Sequence, residues 1–93
     1  METDRFEWDD LKAAENLAKH AVSFDYAATV FDDRAARQVP DRRRDYGEDR
    51  LKLIGRAWNG RLLTVIFTER GDRIRLISAR LASQKERNFY ADP

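Results

Sequence analysis

The 93-residue chain has no cysteine, so neither a disulfide framework nor thiolate chemistry is open to it, and a reducing cytoplasm is the expected setting. It has one histidine, His20, and no His/Cys or His/carboxylate set at ligand spacing, so no protein-bound metal is expected. Asp32-Asp33 and Glu48-Asp49 are adjacent carboxylates in polar stretches, which solvent ordinarily satisfies. The four glycines are scattered through turn positions and make no phosphate-binding loop, so no nucleotide cofactor is expected either. No serine has a convincing base and orienter. No apolar run is long enough to span a membrane, and the acidic opening Met1-Glu2-Thr3-Asp4-Arg5 does not read as a signal peptide.

What remains is a charged, moderately apolar chain: 42% hydrophobic, 11% aromatic and 38% charged residues fit one folded domain over residues 1–93 with a modest core. The net charge of +1 conceals a division. Residues 1–33 carry three Lys/Arg against nine Asp/Glu, and residues 34–93 carry fifteen against eight. Local fields decide what a surface attracts, and a basic second half suits an anionic polymer bound on one side.

Arg5–Trp8 reads as a short strand, and Asp9 as the cap of a helix running to about His20. Leu11, Ala14, Leu17, Ala18 and Ala21 recur at helical spacing and are expected to face the core, with Lys12, Glu15, Asn16 and Lys19 turned away. Ser23 caps a second, shorter helix with Phe24, Ala27, Ala28 and Phe31 inward. A strand at Ala35–Val39 and a polar loop to Asp49 follow. Leu51–Ala57 and Leu62–Thr68 then flank Asn59-Gly60, a hairpin signal. A third strand spans Arg73–Arg80, and Ser83-Gln84-Lys85-Glu86 is a capping box that opens a last helix. The order β-α-α-β-β-β-β-α predicts an α+β domain, an antiparallel sheet with helices packed on one face.

A two-residue turn at Asn59-Gly60 sets Arg56 opposite Leu63. One face would then hold Arg50, Lys52, Ile54, Arg56, Arg61, Leu63, Val65 and Phe67. With a tight turn at Gly71-Asp72, Ile74, Leu76, Ser78 and Arg80 join that basic face, and Arg73, Arg75 and Ile77 the other. A single slip or bulge reverses the third strand.

The residues also carry a resemblance. Phe6-Glu7-Trp8-Asp9, Lys12-Ala13, Asn16, Lys19-His20, Val22-Ser23-Phe24, Ala27-Ala28 and Val30-Phe31-Asp32-Asp33 form its first half. Ile54-Gly55, Gly60-Arg61-Leu62-Leu63, Arg70-Gly71-Asp72, Ile74-Arg75, Ile77-Ser78-Ala79-Arg80, and Glu86-Arg87 with Tyr90 form its second. From Phe6 to Tyr90 the chain resembles the BrnT family. The resemblance implies a RelE-like fold and a ribonuclease toxin of a bacterial type II toxin–antitoxin pair. It also implies a BrnA-like antitoxin with a ribbon-helix-helix region, with operator DNA met only through that antitoxin. Ala21 departs from the family's usual glycine, and Arg42-Arg43-Arg44 falls in a variable region.

Metal-free RNA cleavage, by attack of the 2′-hydroxyl on the adjacent phosphorus, needs a positioned backbone, a proton acceptor and stabilisation of the phosphorane. Arginine suits the last task because its planar fork pairs phosphate oxygens and keeps its charge. Arg80, Arg61, Arg75 and Arg50 are the candidates, with Arg80 and Arg61 favoured because they sit inside the resembling motifs. Proton acceptors come from His20, Glu48 and Lys19. Lys52 and Arg56 are expected to add backbone contacts, and Trp58, beside the hairpin turn, to stack on a base. Trp8 is expected in the core. The function expected is an endoribonuclease that inhibits translation; the alternative is a non-catalytic nucleic-acid-binding or regulatory protein that keeps the fold.

Overall fold

Asp9 starts the first helix by accepting the N–H groups of Leu11 and Lys12 at 2.8 and 3.2 Å, two donors that a helix start leaves without partners. In the computed structural model, which describes residues 1–41 and 49–92, that helix, α1, spans Asp10–His20. It follows a two-residue strand, β1, at Phe6–Glu7. Ala21 ends it in the left-handed region at φ 58°, its N–H donating to the Leu17 carbonyl. The Ser23 hydroxyl caps α2, Phe24–Ala28, which tightens into a 3₁₀ turn at Thr29–Asp32. The strands β2 (Arg37–Pro40), β3 (Leu51–Arg56), β4 (Leu62–Arg70) and β5 (Arg73–Leu81) follow, then α3 (Gln84–Ala91). The element order is the one read from the sequence.

The sheet has five strands in the order β1-β5-β4-β3-β2. It is mixed, because β1 lies parallel to β5 while every other pair is antiparallel. Phe6, Trp8, Val22, Phe24, Ala27, Val30, Leu53, Leu63, Val65, Phe67, Leu76 and Ala79 form the core between this sheet and the first two helices. Edge-to-face rings, Trp8 on Phe24 at 5.8 Å and Phe31 on Phe67 at 5.0 Å, tie the layers together. Gly55 is where the sheet meets the 3₁₀ turn: a Cβ there would lie 2.8 Å from that of Ala36 and 2.9 Å from Val30 Cγ1.

Two irregularities set which residues share a face, and both depart from the sequence reading. The hairpin loop has three residues. Ala57 donates its N–H to the Arg61 carbonyl at 2.9 Å, Gly60 adopts φ 88°, and Asn59 keeps a negative φ. A type I′ turn requires both central residues at positive φ, so the loop gains a residue and Arg56 pairs with Leu62 rather than Leu63. Leu63, Val65 and Phe67 therefore point into the core, and Leu62, Thr64 and Ile66 share the outer face with Lys52, Ile54 and Arg56.

The second irregularity is a bulge that leaves Ile77 without a partner between the pairs Ile66–Ser78 and Phe67–Leu76. It resets the alternation of β5, so that Ile74 and Leu76 on one side of it and Ala79 on the other all face the core. Ser78 and Arg80 face outward as expected; Arg73 and Arg75 join them there instead of lying on the opposite face.

The helices also divide. α1 and α2 lie on the inner face, and α3 lies on the outer one, reached through Glu86, which contacts Lys52, Thr64 and Arg80. Nor does α1 present the expected stripe. Leu11 and Leu17 are 68% and 53% exposed, and Asn16 is buried in their stead. Its carboxamide donates to the carbonyls of Val22 and Ala79 at 2.9 and 2.8 Å and accepts the Ala79 N–H at 3.1 Å. Those bonds orient the helix more firmly than a stripe rich in alanine does, since a buried strand N–H and C=O left without partners would each carry a desolvation penalty.

Candidate functional site

The capping box read from the sequence is present. The Ser83 hydroxyl accepts the Glu86 N–H at 3.2 Å, and Glu86 Oε1 accepts the Ser83 N–H at 2.8 Å. The same carboxylate reaches beyond its own helix. Its Oε1 accepts Arg80 Nη1 at 2.7 Å and the Thr64 hydroxyl at 2.9 Å, and its Oε2 accepts Arg80 Nη2 at 2.9 Å with Lys52 Nζ at 3.4 Å. Burial opposes ionisation of Glu86, but the Arg80 fork, the Ser83 N–H and the Thr64 hydroxyl outweigh it and hold the carboxyl well below the usual carboxylate range.

Arg80 is held end-on. Nη1 and Nη2 face Glu86, and Nη1 also meets the Leu81 carbonyl at 3.3 Å. The side edge of the guanidinium, Nε–H with the second Nη2 hydrogen, has no partner among the described residues, and the side chain is 31% exposed. A fork-shaped donor pair on that edge fits two oxygens of a phosphate. Beside the cluster lies a cleft of about 300 Å³ lined by Val39, Lys52, Ile54, Ser83, Lys85, Glu86 and Phe89.

One turn further along α3, Tyr90 donates its hydroxyl to Asp33 Oδ2 at 2.9 Å. Asp33 also accepts the N–H groups of Arg56 and Ala35 at 2.8 and 2.9 Å. Burial raises the Asp33 carboxyl, and these donors together draw it below its ordinary value. Burial and the neighbouring carboxylate push the Tyr90 phenol up. Arg56 lies over the Tyr90 ring at 5.4 Å and donates to the Gly60 carbonyl at 2.7 Å. The far end of α3 is closed by Arg37, whose Nη1 donates to the carbonyls of Phe89 and Asp92 at 2.7 and 2.6 Å.

Of the residues singled out in the sequence, Arg80 and Lys52 converge on one carboxylate, and Arg56 lies four residues along β3 from Lys52 on the same face. Arg75, also on that face, is bound to Glu7 at 2.7 Å near β1. Arg61 and Trp58 stand exposed at the hairpin tip, Trp58 at 76%. Arg50 is half-buried just before β3. His20 and Lys19 end α1, across the sheet from Arg80. Glu48 lies outside the described residues. Trp8 is buried, as expected.

Glu86 shares one side of the last helix with Arg87 and Tyr90, a side the sequence assigns to anchoring the helix rather than to catalysis. What marks Glu86 is the spacing, a capping glutamate six residues after an arginine one position from the end of a strand. The apolar doublet Leu76-Ile77, which breaks the alternation of the strand, marks the bulge.

Comparison with known proteins bears on the family and the fold. Residues 8–86 match the family described as "Ribonuclease toxin, BrnT, of type II toxin-antitoxin system". A solved structure that matches is the 1.1 Å crystal structure of the Brucella abortus ribonuclease toxin BrnT. It has 30% sequence identity and a TM-score of 0.68, over 88% of this chain and 100% of that one. Among curated proteins no match was found.

Proposed function

Since the chain belongs to the BrnT family of ribonuclease toxins of type II toxin–antitoxin systems, we propose that it cleaves RNA without a metal and arrests translation in the cytoplasm. In this reading a BrnA-like ribbon-helix-helix antitoxin silences it and supplies its only contact with operator DNA.

The observation that carries the reading is the convergence of Arg80 and Lys52 at Glu86 on the outer face. The side edge of Arg80 takes two oxygens of the scissile phosphate, and Lys52 adds a point charge beside them. As the 2′-hydroxyl oxygen attacks phosphorus, giving its proton to water, and the P–O5′ bond breaks to leave a 2′,3′-cyclic phosphate and a 5′-oxygen that water protonates, charge on the non-bridging oxygens grows. Donors fixed beforehand stabilise that state more than the ground state. Glu86, held ionised by its donors, is a poor proton acceptor; its part is positioning, keeping the guanidinium end-on so that the side edge faces outward. Positioning and charge stabilisation carry the rate without a dedicated base.

The test is RNA cleavage by purified protein with magnesium chelated. Arg80→Ala is expected to cut the rate by about 100-fold or more, the scale of losing a key charge-stabilising donor. Arg80→Lys should restore only part, because a point charge does not replace a fork. Thermal melts must accompany both, since Arg80 also anchors Glu86. A folded Ala variant that cleaves at nearly the wild-type rate overturns the assignment.

A further inference from the structure

An indole that is 76% exposed usually sits on a mobile loop, but the hairpin tip bearing Trp58 is fastened to the body of the protein. The backbone N–H of Trp58 donates to the Thr29 hydroxyl at 3.0 Å, and the Tyr26 hydroxyl donates to Asn59 Oδ1 at 2.6 Å. Both anchors come from α2 and the 3₁₀ turn. Between tip and turn lies a cleft of about 310 Å³ lined by Thr29, Asp32, Asp33, Arg56, Ala57 and Trp58. Its two carboxylates are not equivalent. Asp33 is fully engaged by Arg56, Ala35 and Tyr90, as described above. Asp32 is 70% exposed, takes only Arg5 Nη1 at 3.1 Å on Oδ1, and has no partner on Oδ2 among the described residues.

An exposed aromatic side chain on an anchored backbone, beside an available carboxylate, can bind a base by stacking and then read its edge. Two adjacent acceptor oxygens distinguish the four bases. Guanine presents N1–H and N2–H side by side. Adenine and cytosine each set a ring acceptor next to their amino donor, and uracil flanks N3–H with two carbonyls, so each of these repels one carboxylate oxygen. We propose that this cleft is a guanine-binding subsite, with Trp58 as the stacking platform, Asp32 reading N1–H and N2–H, and Arg5 supplying a donor for O6. Resting on the ribonuclease reading, it makes that site selective for RNA with a guanine near the cut. Arg56, on the rim of the cleft, lies four residues from Lys52 on β3, roughly 13 Å at the rise of a strand, so one strand of RNA reaches both.

The experiment is a fluorescence titration of the whole protein with GMP, AMP, CMP and UMP. Trp8 is buried at 8% exposure, so quenching reports Trp58, and Trp58→Phe should abolish it. GMP is expected to bind about tenfold or more tighter than the other three, the scale of one bidentate contact to a base edge. Asp32→Asn, at an exposed position that leaves folding intact, should bring GMP to within about threefold of AMP by the same measure. Equal binding of the four nucleotides, or a guanine preference that survives Asp32→Asn, overturns the subsite. Selective GMP binding by a protein that cuts no RNA would leave the subsite standing and remove the ribonuclease reading. RNA cleavage indifferent to guanine, without GMP quenching, would do the reverse.

Discussion

On the inner face of the sheet, α2 packs with Leu53, Leu63, Val65, Phe67 and Leu76 in an apolar core, which α1 joins through Ala13 while the hydrogen bonds of Asn16 orient it. On the outer face, α3 is held over Lys52, Thr64 and Arg80 by the Glu86 carboxylate and at its far end by Tyr90 on Asp33 and by Arg37, with Ile54, Leu62 and Ile66 buried as a smaller apolar layer. The two attachments differ in kind. Apolar burial is non-directional and indifferent to pH, so it fixes how strongly the layers hold but little about the orientation of any one group. A carboxylate that gathers four donors is directional and titratable, and its main product is the placement of a guanidinium. The larger apolar core lies on one side of this protein, and the placement of Arg80 is set on the other.

Three substitutions sharpen or break that contrast. Leu63→Ala, at a side chain with no exposure, should lower the unfolding free energy by about 4 kcal/mol, the usual cost of a core cavity. Urea denaturation measures it, and a loss under about 1 kcal/mol would place the stabilising core elsewhere.

Glu86→Gln should cost about 3 kcal/mol, because Arg80 and Lys52 keep their charge and lose its partner. Its signature is local: amide exchange in α3 should speed up while β4 stays protected. The pH dependence follows from the lowered carboxyl. A group whose pKa falls on folding stabilises the protein above its unfolded value of 4.5, and that stability drains away as pH falls toward the folded value. The wild type should therefore lose stability between neutral pH and acid more steeply than Glu86→Gln. Parallel acid profiles for the two proteins would show that the carboxylate is not what holds α3.

The smallest effect belongs to neither face. Ala21, at φ 58°, bears a Cβ in a region that glycine occupies freely, so Ala21→Gly should stabilise by about 0.5–1 kcal/mol. Its gain should add to the loss from Glu86→Gln, since the sites share no partner. A melting temperature that falls instead would mean that the helix end needs the methyl group.

How much of this was legible follows from how local each cause is. Asp9, Ser23 and Ser83 act within a few residues of themselves, and all three caps are where the sequence put them. So are the strands and the last helix. The faces were not legible, because they hang on two single-residue events: a third loop residue at the hairpin, and Ile77 left out of its ladder. Asn16 misled for another reason. Helical periodicity ranks a polar residue as outward, yet this one satisfies the backbone of a strand 63 positions away in the chain. Glu86 was legible as a cap and illegible as the hub of the outer face, because Thr64 and Lys52 approach it only once the sheet has formed.

Asn16 has a consequence for how the molecule behaves among its own copies. β1 covers the outer edge of β5 only at Ile74 and Arg75, so among the described residues the stretch beyond has no neighbouring strand. A bare strand edge is a template on which a second chain can continue the sheet. At Ala79 that template is already used, because its N–H and carbonyl are engaged by a carboxamide with the same donor and acceptor as a peptide group. A side chain thus terminates the sheet where the described residues add no further strand, and a buried asparagine guards against edge-to-edge association.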